Sequence, residues 1–546
     1  MDSIDVNGVK YWLPSDEKDV MALVEEAHAN GEIICLRGSA HSFPLIRTLE
    51  SGPTSGRSYK YIMLAKMNAV SIDVANKTVT VQGGCHLGFD PWDPTQISTL
   101  HNSLLYQLDQ AGFAVPDLGG IIHQTVAGFL STGSAGGTTQ YAFQDMVQAV
   151  SFVHYGPKGP QKTTFTRPAS GDPEDPFFAA CGPTMGLFGV LVSATFNLVP
   201  KFNIVGFQAT TTTDQCAIDL FGSGSDQRPG LETYFRQTPY ARLMWWPQSG
   251  VNKMVIWQAK PVASEPDFKP NPYQEVPYIF NSPIPATLAA DLLFTGIGRW
   301  PDWLQDAMGD TEEYRIVRDL IGASFYPLLL PKILDIFVPL DAPDKGPVQF
   351  QDYWWTGLPM DNQMSDRLFP VWFTELWIPL NQAQAVMNTL NTFYQASTQN
   401  TMAFSCEIYA AKSSQCWLSP AYQTDVIRID VFWFGNNTGD PTAYYQKFWD
   451  LLAPFKFRPH WGKYLPAGDS PLGAEYLRSV YPKWDAWLQI RQALDPDQVF
   501  VNDYWRAQLG IPQPASAAAL DVSNISPGFF ETIIHWFMRL FGRKTQ

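Results

Sequence analysis

The sequence predicts an α+β protein built of two lobes. Its 546 residues, 45% of them hydrophobic, are too many for one ordinary core. Helical and strand patterns alternate over the first part of the chain, and from about residue 206 tryptophans, prolines and aromatic clusters become frequent. We therefore expect a first lobe over 1–205, a second lobe over 206–480 with a large antiparallel sheet, and a segment over 481–546 that returns to the first lobe.

The elements of the first lobe follow from the spacing of apolar residues. From Ser15 to Asn30 these residues recur at helical spacing, and Ser15-Asp-Glu-Lys supplies a start signal. The stretch Glu32-Ile-Ile-Cys-Leu-Arg, with four apolar residues between its charged ends, indicates a buried strand that ends at Gly38. The later patterns predict, in order, strands over 61–64, 69–74 and 78–83, a helix over 94–111, and a strand over 185–196 that is entered through a glycine turn.

Charge and composition exclude several classes of protein. Asp and Glu number 52 against 37 Lys and Arg, which gives a net charge of -15. A surface this acidic repels phosphate backbones, so nucleic acid is not an expected partner. The 6 cysteines and 8 histidines show neither a CxxC pair nor a metal-ligand spacing. We therefore expect no metal site, and reduced cysteines in the core or in strands.

The start of the chain, one apolar stretch and the tail bear on localisation. The first residues have neither a cationic start nor an apolar core, so we expect no signal peptide and a cytoplasmic location. Prolines and charges interrupt the apolar stretch 321–340, which favours a buried helix or a wall of the second lobe over a membrane span. Apolar residues between Pro527 and Lys544 form one stripe of an amphipathic helix. For this helix, docking onto the protein itself or onto a second subunit is favoured over contact with a membrane surface.

Two short stretches near the front of the chain combine small residues with accessible backbone amides. Arg37-Gly-Ser-Ala-His-Ser42 follows the predicted strand and includes an imidazole, and the second stretch, T-V-A-G-F-L-S-T-G-S-A-G-G, runs from Thr125 to Gly137. Loops of this kind let a pyrophosphate and a planar ring approach the backbone closely. The two stretches therefore indicate a flavin dinucleotide site and an oxidoreductase.

Taken together, these stretches resemble the vanillyl-alcohol-oxidase superfamily of PCMH-type FAD flavoproteins, and within it the aldonolactone oxidase and alditol oxidase branch. The first stretch looks like that branch's G-x-G-H-S loop, with Ala40 where the second glycine is usual. Residues 116–134 are similar to its Q-T-x-A-G-x-x-S-T-G-T signature. Four further stretches resemble its E-x-R, W-L-S-P, H-W-G/A-K and D-P-x-x-x-F motifs in the same order, and they begin at Glu407, Trp417, His460 and Asp495. The region from about 206 to 400 matches weakly, so substrate identity is expected to lie there.

The resemblance implies a two-lobe PCMH-type fold that binds FAD. In the family, the loop histidine is often bonded to the 8-methyl carbon of the flavin, so His41 is expected to hold the cofactor covalently. A surface histidine that caps a backbone group is the alternative. Cys85 is a conceivable second attachment point, although a buried strand cysteine is favoured there. The residues expected to contact FAD are Arg37, Gly38, Ser39, Ala40, His41, Ser42, Pro116, Gly119, Thr125, Gly128, Ser131, Thr132, Gly133, Ser134, Gly189, Val190 and Asn502.

Oxidation of an alcohol by a flavin needs a group that takes the hydroxyl proton, and positive charge or donors beside the reduced ring. Glu407, Lys463 and His460 are the candidates for proton removal and substrate orientation. A structural ion pair between Glu407 and Lys463 is the competing interpretation. Tyr409, the fourth candidate, stands where the branch's E-x-R arginine would lie. Either Lys412 or Lys463 then supplies the missing charge, or the substrate is less polar.

The expected reaction is hydride transfer from a primary or secondary alcohol to flavin N5, with molecular oxygen reoxidising the flavin and hydrogen peroxide released. Polyols or aldonolactones are the expected small-molecule substrates. An oxidase of a bulky hydrophobic alcohol such as a sterol is the alternative, motivated by the apolar stretch 288–340, by Tyr409 and by the tail. A flavin-free binding protein of the same fold is a further alternative, for which Ala40, Ala135 and Tyr409 are the irregularities.

Overall fold

The computed structural model describes residues 1–275, 331–332, 334–335, 337–362, 371–401, 405–434 and 440–514. Met1–Gly510 forms one compact unit, and a second unit begins at Ile511. The lobe boundaries at 205 and 480 therefore stay a prediction about divisions within the first unit. The amphipathic tail helix over 527–544 and most of the apolar stretch 288–340 lie outside the described residues. No helix in the described part of the chain is long and apolar enough to cross a membrane.

The strands of the described chain are numbered in sequence order. They are β1 (Asp2–Val6), β2 (Val9–Leu13), β3 (Ile33–Leu36), β4 (Tyr59–Ile62), β5 (Val70–Asp73), β6 (Thr78–Gln82), β7 (Phe113–Ala114), β8 (Val147–Gly156), β9 (Gly159–Thr166), β10 (Val190–Asn197), β11 (Val199–Pro200), β12 (Phe202–Thr212), β13 (Tyr240–Trp246), β14 (Lys253–Ala263), β15 (Val348–Tyr353), β16 (Val371–Pro379), β17 (Cys406–Ala411), β18 (Val426–Phe434) and β19 (Arg458–Pro459).

The α-helices are numbered in the same way. They are α1 (Glu17–Ala29), α2 (Phe43–Glu50), α3 (Leu104–Gln110), α4 (Val126–Thr132), α5 (Phe143–Met146), α6 (Phe177–Ala180), α7 (Leu231–Gln237), α8 (Trp354–Gly357), α9 (Ala383–Ala396), α10 (Thr398–Thr401), α11 (Pro441–Leu452), α12 (Ala474–Val480), α13 (Trp484–Leu494) and α14 (Asp503–Leu509). Short 3-10 turns occupy Leu380–Gln382 and Ala453–Phe455.

Two sheets form the first part of the fold. One has the order β1-β2-β4-β3, in which β4 is parallel to both of its neighbours, and the other is antiparallel with the order β5-β6-β10-β8-β9. The apolar side of α1 packs with residues of both sheets, because Val20 and Val24 share a core cluster with Ile34 and Val190. Val499 joins this core, and its carbonyl accepts a 2.8 Å hydrogen bond from the Ile34 amide.

The third sheet has eight strands, all antiparallel, in the order β15-β12-β14-β13-β17-β18-β16-β19. Residues on one of its faces, such as Leu243, Ile408 and Ile429, are fully buried in a core that includes side chains of α7, α9 and α11. This arrangement confirms the predicted α+β class with a large antiparallel sheet. Since side chains alternate along a strand, the intervening residues are left for the opposite face.

The structure corrects one predicted element and agrees with the expectation for the cysteines. In place of a helix over 94–111, only α3 is helical, because the Asp93 carboxylate accepts hydrogen bonds from the amides of Thr95, Ile97 and Ser98 at 2.8–3.0 Å and folds the segment into turns. All six cysteines are buried and free. Burial raises the pKa of Cys85 to about 12, so its thiol is protonated.

Candidate active site

Two adjoining cavities lie along the loop that follows β3. The larger, called here the wide chamber, has a volume of about 920 Å³ and reaches from this loop to β16, β17 and β18. The smaller, called the narrow cavity, has a volume of about 140 Å³ and runs between this loop and α4. The residues that line both are Arg37, Ser39, Ala40, His41, Asp93, Pro94 and Gln124. An elongated ligand with one narrow and one broad part fits this shape.

The narrow cavity brings together the two glycine-containing stretches of the sequence. Thr125 caps α4 by accepting a 3.2 Å hydrogen bond from the Gly128 amide. A Cβ atom on Gly38 would lie 2.6 Å from Thr125 Oγ1, so only glycine allows this approach of the two loops. Gln124 Oε1 and Arg37 Nε are buried at the cavity walls without a hydrogen-bond partner among the described residues. A ligand with polar groups would satisfy these atoms, and the residues present therefore fit a flavin dinucleotide.

Most of the predicted cofactor residues line these cavities. Those at the narrow cavity are Arg37, Gly38, Ser39, Ala40, His41, Ser42, Thr125, Gly128, Ser131, Thr132 and Gly189, and those added by the wide chamber are Gly119 and Ser134. Cys85 lines neither.

Four predicted cofactor residues line neither cavity, and contact between them and the cofactor stays a prediction. The Pro116 carbonyl accepts a 2.9 Å hydrogen bond from the Tyr240 hydroxyl, and Val190 is fully buried at the start of β10. Gly133 ends α4 with a left-handed φ of 73°. Asn502 caps α14 by accepting a 2.9 Å hydrogen bond from the Trp505 amide. A glycine or an asparagine in a motif can thus end or cap a helix without lining the ligand cavity.

The backbone explains why a glycine is usual at position 40. Ala40 has φ 65°, the left-handed region in which a Cβ atom is unfavourable. His41 follows directly, lines both cavities, and has its ring 4.0 Å from the ring of His123. The left-handed conformation of Ala40 therefore orients the backbone so that His41 lies where the two cavities meet.

The floor of the wide chamber is the polar face of the large sheet. Register places three carboxyls in one row across neighbouring strands: Glu375 is opposite Asp430, and Asp430 is opposite Glu407. Arg428, two residues before Asp430, is opposite both Tyr409 and Trp377. Like charges directly opposite one another repel, so a row of three carboxyls is stable only when some of them are neutral or paired.

Arg428 supplies the positive charge of this face. Its Nε lies 2.8 Å from Glu375 Oε1, and its Nη1 donates to the carbonyls of Ala135 and Gly136 at 2.9 and 3.0 Å. Its guanidinium carbon is 4.7 Å from the centre of the Tyr409 ring. The cation missing from position 409 is thus present on the next strand, and it holds the second glycine-containing stretch against the sheet.

Lys412 does not supply that charge, which corrects one of the two expectations for it. Its Nζ forms a 2.7 Å ion pair with Asp145, the two side chains are 35% and 44% exposed, and Lys412 does not line the wide chamber. Lys463 does line the chamber, with its Nζ 3.9 Å from the centre of the Phe373 ring.

Glu407 is a buried carboxyl held by its neighbour Tyr409. The Tyr409 hydroxyl donates a 2.9 Å hydrogen bond to Glu407 Oε2. The competing interpretation, a structural ion pair between Glu407 and Lys463, stays a prediction. Burial, and next the nearby charge of Asp361, raise the pKa of Glu407 to about 8. A carboxyl with a pKa near the working pH can both accept and release a proton.

His460 lines the same chamber as a neutral imidazole, which argues against the predicted role in proton removal. Burial lowers its pKa to about 4 despite the nearby Glu375. The Gly462 amide donates a 3.0 Å hydrogen bond to Nδ1, which assigns the remaining ring proton to Nε2. With Nδ1 occupied, His460 can donate a hydrogen bond but has no free lone pair with which to act as a base.

Sequence reasoning missed several residues of the chamber. Among the missed polar residues that line it are Gln124, Glu275, Asp361, Glu375, Arg428 and Asp430. A signal for three of them exists in the alternation of charged and apolar residues in Ile427-Arg-Ile-Asp-Val and in Thr374-Glu-Leu-Trp. Period-two alternation predicts a strand with one apolar and one polar face, and charged residues within an otherwise buried strand are typical of a functional face.

The comparisons with known proteins agree with this geometry. A model of the D-arabinono-1,4-lactone oxidase family matches residues 355–508. L-gulonolactone oxidase of Scyliorhinus torazame is 21% identical over 507 residues, which are 90% of this chain and 93% of that protein. D-arabinono-1,4-lactone oxidase of Saccharomyces cerevisiae is 30% identical over 158 residues, 28% of this chain and 26% of that protein. The solved structure of cholesterol oxidase from Brevibacterium sterolicum has a TM-score of 0.61 at 16% identity and covers 92% of this chain and 94% of that chain.

The fold is that of the PCMH-type FAD flavoproteins, and the chain is an FAD-dependent oxidoreductase. Its sequence similarity is to aldonolactone oxidases, which agrees with the resemblance of its motifs. The matched residues 355–508 include Glu407, Tyr409, His460 and Lys463.

Proposed function

We propose that this flavoprotein oxidises a hydroxyl group of a neutral, hydroxyl-rich substrate, an aldonolactone or a polyol. The observation that carries the proposal is the polar face of the large sheet, which places Glu407 and the guanidinium of Arg428 in the same chamber as the loop that carries His41. FAD, when bound, supplies a hydride acceptor at N5 and passes the electrons on to oxygen, which leaves as hydrogen peroxide.

The residues that would hold FAD are those of the narrow cavity. The stretch from Gly38 to Ser42 and the stretch from Thr125 to Thr132 would approach the dinucleotide through their backbones. The wide chamber would take the ring, beside Gly119 and Ser134. Covalent attachment through His41 is part of this proposal, since its imidazole lines both cavities.

Glu407 is the base in this proposal. It accepts the hydroxyl proton as the hydride leaves the carbon atom that bears this hydroxyl group. A base so placed accelerates a reaction by about a hundred- to ten-thousand-fold. His460 donates a hydrogen bond through Nε2, and Lys463 offers an ammonium group to further hydroxyls.

The charges of the chamber support a neutral substrate. Arg428 pairs with Glu375, so these two charges largely cancel. Burial raises the pKa of both Glu407 and Asp430, which favours the neutral form of the other two carboxyls of the row. Protonated carboxyls donate as well as accept hydrogen bonds, and several hydroxyl groups can satisfy them at once.

A sterol-type alcohol is the second candidate. The aromatic rings of Trp372, Phe373 and Phe432 line one side of the wide chamber and could contact a large apolar substrate. Such a substrate would leave the polar groups of Arg428 and Asp430 facing apolar surface, at a cost of about 1–3 kcal/mol for each group left unsatisfied. The polar face therefore favours the lactone or polyol.

Oxygen uptake and peroxide release separate these substrates. We expect turnover with lactones such as L-gulono-1,4-lactone and D-arabinono-1,4-lactone, or with sorbitol and xylitol, and none with detergent-solubilised sterols. Activity on sterols alone would overturn the proposed substrate class. Protein that stays colourless after expression with ample flavin would instead support a binding protein without the chemistry.

Acid precipitation tests the covalent bond. Yellow colour should stay with the precipitated native protein and move to the supernatant in His41→Ala. His28→Ala, whose ring pairs with Asp497 outside both cavities, is the matched control and should retain the colour. Release of all flavin from the native protein would contradict attachment through His41.

A further inference from the structure

The Tyr409 hydroxyl lies between two carboxyl groups. Its oxygen is 2.9 Å from Glu407 Oε2 and 3.2 Å from Asp361 Oδ2. A phenol has a single proton to donate, so it cannot donate to both carboxylates at the same time. A second hydrogen bond at the Tyr409 oxygen therefore requires a proton on one of the two carboxyls.

The groups around Asp361 and Glu407 determine which of the two carboxyls accepts the Tyr409 hydrogen bond. Arg242, itself only 1% exposed, forms a 2.5 Å ion pair with Asp361 Oδ1 and donates to the Met360 carbonyl at 2.9 Å. This ion pair favours Asp361 as the acceptor of the Tyr409 hydrogen bond whenever Glu407 is protonated, and the Tyr409 hydroxyl donates to Glu407 when Glu407 is ionised. The titratable groups that face Glu407 from the packed elements are Arg242 on β13, Tyr409 on the same strand, Asp430 on β18, and Glu275 and Asp361 in loops.

Of the three hydrogen-bonded groups, Asp361 is by far the most exposed. Glu407 and Tyr409 are 5% and 4% exposed, whereas the side chain of Asp361 is 33% exposed. A proton on Asp361 can therefore exchange with solvent more readily than a proton on Glu407, which is almost fully covered.

We propose that Tyr409 and Asp361 form the route by which Glu407 releases its proton to solvent. Protonated Glu407 donates its proton to the Tyr409 oxygen while the Tyr409 hydroxyl proton moves to Asp361. One O–H bond breaks and one forms at each transfer, so Tyr409 ends unchanged, Glu407 becomes a carboxylate, and Asp361 becomes neutral. Asp361 then gives the proton to water, and Glu407 is ready to accept a proton from an alcohol.

This route uses the residue by which the chain departs from its relatives' motif. An arginine at position 409 would stabilise the carboxylate but would have no proton to pass on, because a guanidinium stays charged in proteins. Moving the cation to Arg428 on the next strand leaves position 409 for a group that both accepts and donates. The inference depends on the proposed role of Glu407 as the base.

Infrared spectroscopy of the substrate-free holoenzyme tests the route without any substrate. We expect a carbonyl band of a buried protonated carboxyl at neutral pH that disappears in Glu407→Gln. In Asp361→Asn the midpoint at which this band titrates should move to lower pH, because the neighbouring negative charge is gone. In Tyr409→Phe it should move to higher pH, because the carboxylate loses its donor.

Kinetics test the transfer itself. With a substrate found by the oxygen-uptake assay, Tyr409→Phe and Asp361→Asn should each lower kcat by about tenfold or more with little change in KM, and should raise the solvent deuterium isotope effect. The matched control is Tyr234→Phe, which removes a buried hydroxyl that bonds to Gln258 on the far side of the sheet.

The outcomes distinguish the possible failures. If no substrate turns over but the infrared midpoints shift in opposite directions, the contacts of Glu407 are right and the proposed substrate is wrong. Unshifted midpoints, or a kcat in Tyr409→Phe equal to that of Tyr234→Phe, would overturn the route. Should Asp361→Asn fail to fold because Arg242 loses its partner, Tyr409→Phe alone still decides the question.

Discussion

Replacing Arg428 with methionine should be among the most damaging single changes in the chamber. The change removes the 2.8 Å ion pair with Glu375 and the hydrogen bonds to the carbonyls of Ala135 and Gly136, and it leaves Glu375, which is 2% exposed, as an uncompensated buried carboxylate. Removing one partner of a buried ion pair costs about 3–5 kcal/mol. We expect the free energy of unfolding to fall by that amount at pH 7.

The pH dependence of this loss identifies its cause. Burial opposes the ionisation of Glu375, but the guanidinium of Arg428 outweighs burial, and the pKa of Glu375 lies below its ordinary value. Without Arg428 that pKa rises, so lowering the pH protonates Glu375 and removes the buried charge. The deficit of the variant should therefore shrink as the pH is lowered from 7.

Urea unfolding at several pH values measures these differences. Arg428→Met combined with Glu375→Gln should recover most of the stability at pH 7, since neither charge is then left alone. Lys412→Met is the matched control, because its half-exposed pair with Asp145 is worth about 0–1 kcal/mol. A loss in Arg428→Met as small as that in Lys412→Met, or a deficit that does not change with pH, would refute the assigned role of Arg428.

Two further changes test other parts of the site. Folding raises the pKa of Glu407 to about 8 from 4.5, so the native protein loses stability as the pH rises from about 5 to 8. Glu407→Gln lacks this titration and should become more stable than the native protein by a few kcal/mol over that range. Equal pH dependence of the two proteins in urea unfolding would contradict the raised pKa. Ala40→Gly should raise the free energy of unfolding by about 1 kcal/mol, because φ 65° strains alanine; a decrease would show that the loop does not hold this conformation.

The sequence was sufficient for the parts of the site that depend on local backbone. The conformations of the loop at His41 and of the stretch beginning at Thr125 depend on residues that are near in sequence. Their small side chains predict that a ligand can approach the backbone closely. The helix predicted over 94–111 was wrong because a single side chain, Asp93, binds three amides in turn, a competition that apolar spacing does not reveal.

The parts that depend on strand pairing could not be predicted in the same way. Alternation within Ile427–Val431 indicates a polar face, but it does not say that Arg428 lies opposite Tyr409, or that Glu375 lies opposite Asp430. These contacts join strands that are far apart in sequence. Only the register of the sheet therefore shows that Arg428 lies beside position 409, where the motif of the resembled family has an arginine.

The central claim is that Glu407 takes the proton of an alcohol held beside the flavin. Anaerobic mixing with a lactone or polyol substrate measures this directly, as the rate at which the flavin loses its yellow colour. We predict bleaching of the native protein within a single turnover, and bleaching about a hundred- to ten-thousand-fold slower in Glu407→Gln with the flavin still bound. Equal bleaching rates in the two proteins would contradict the claim.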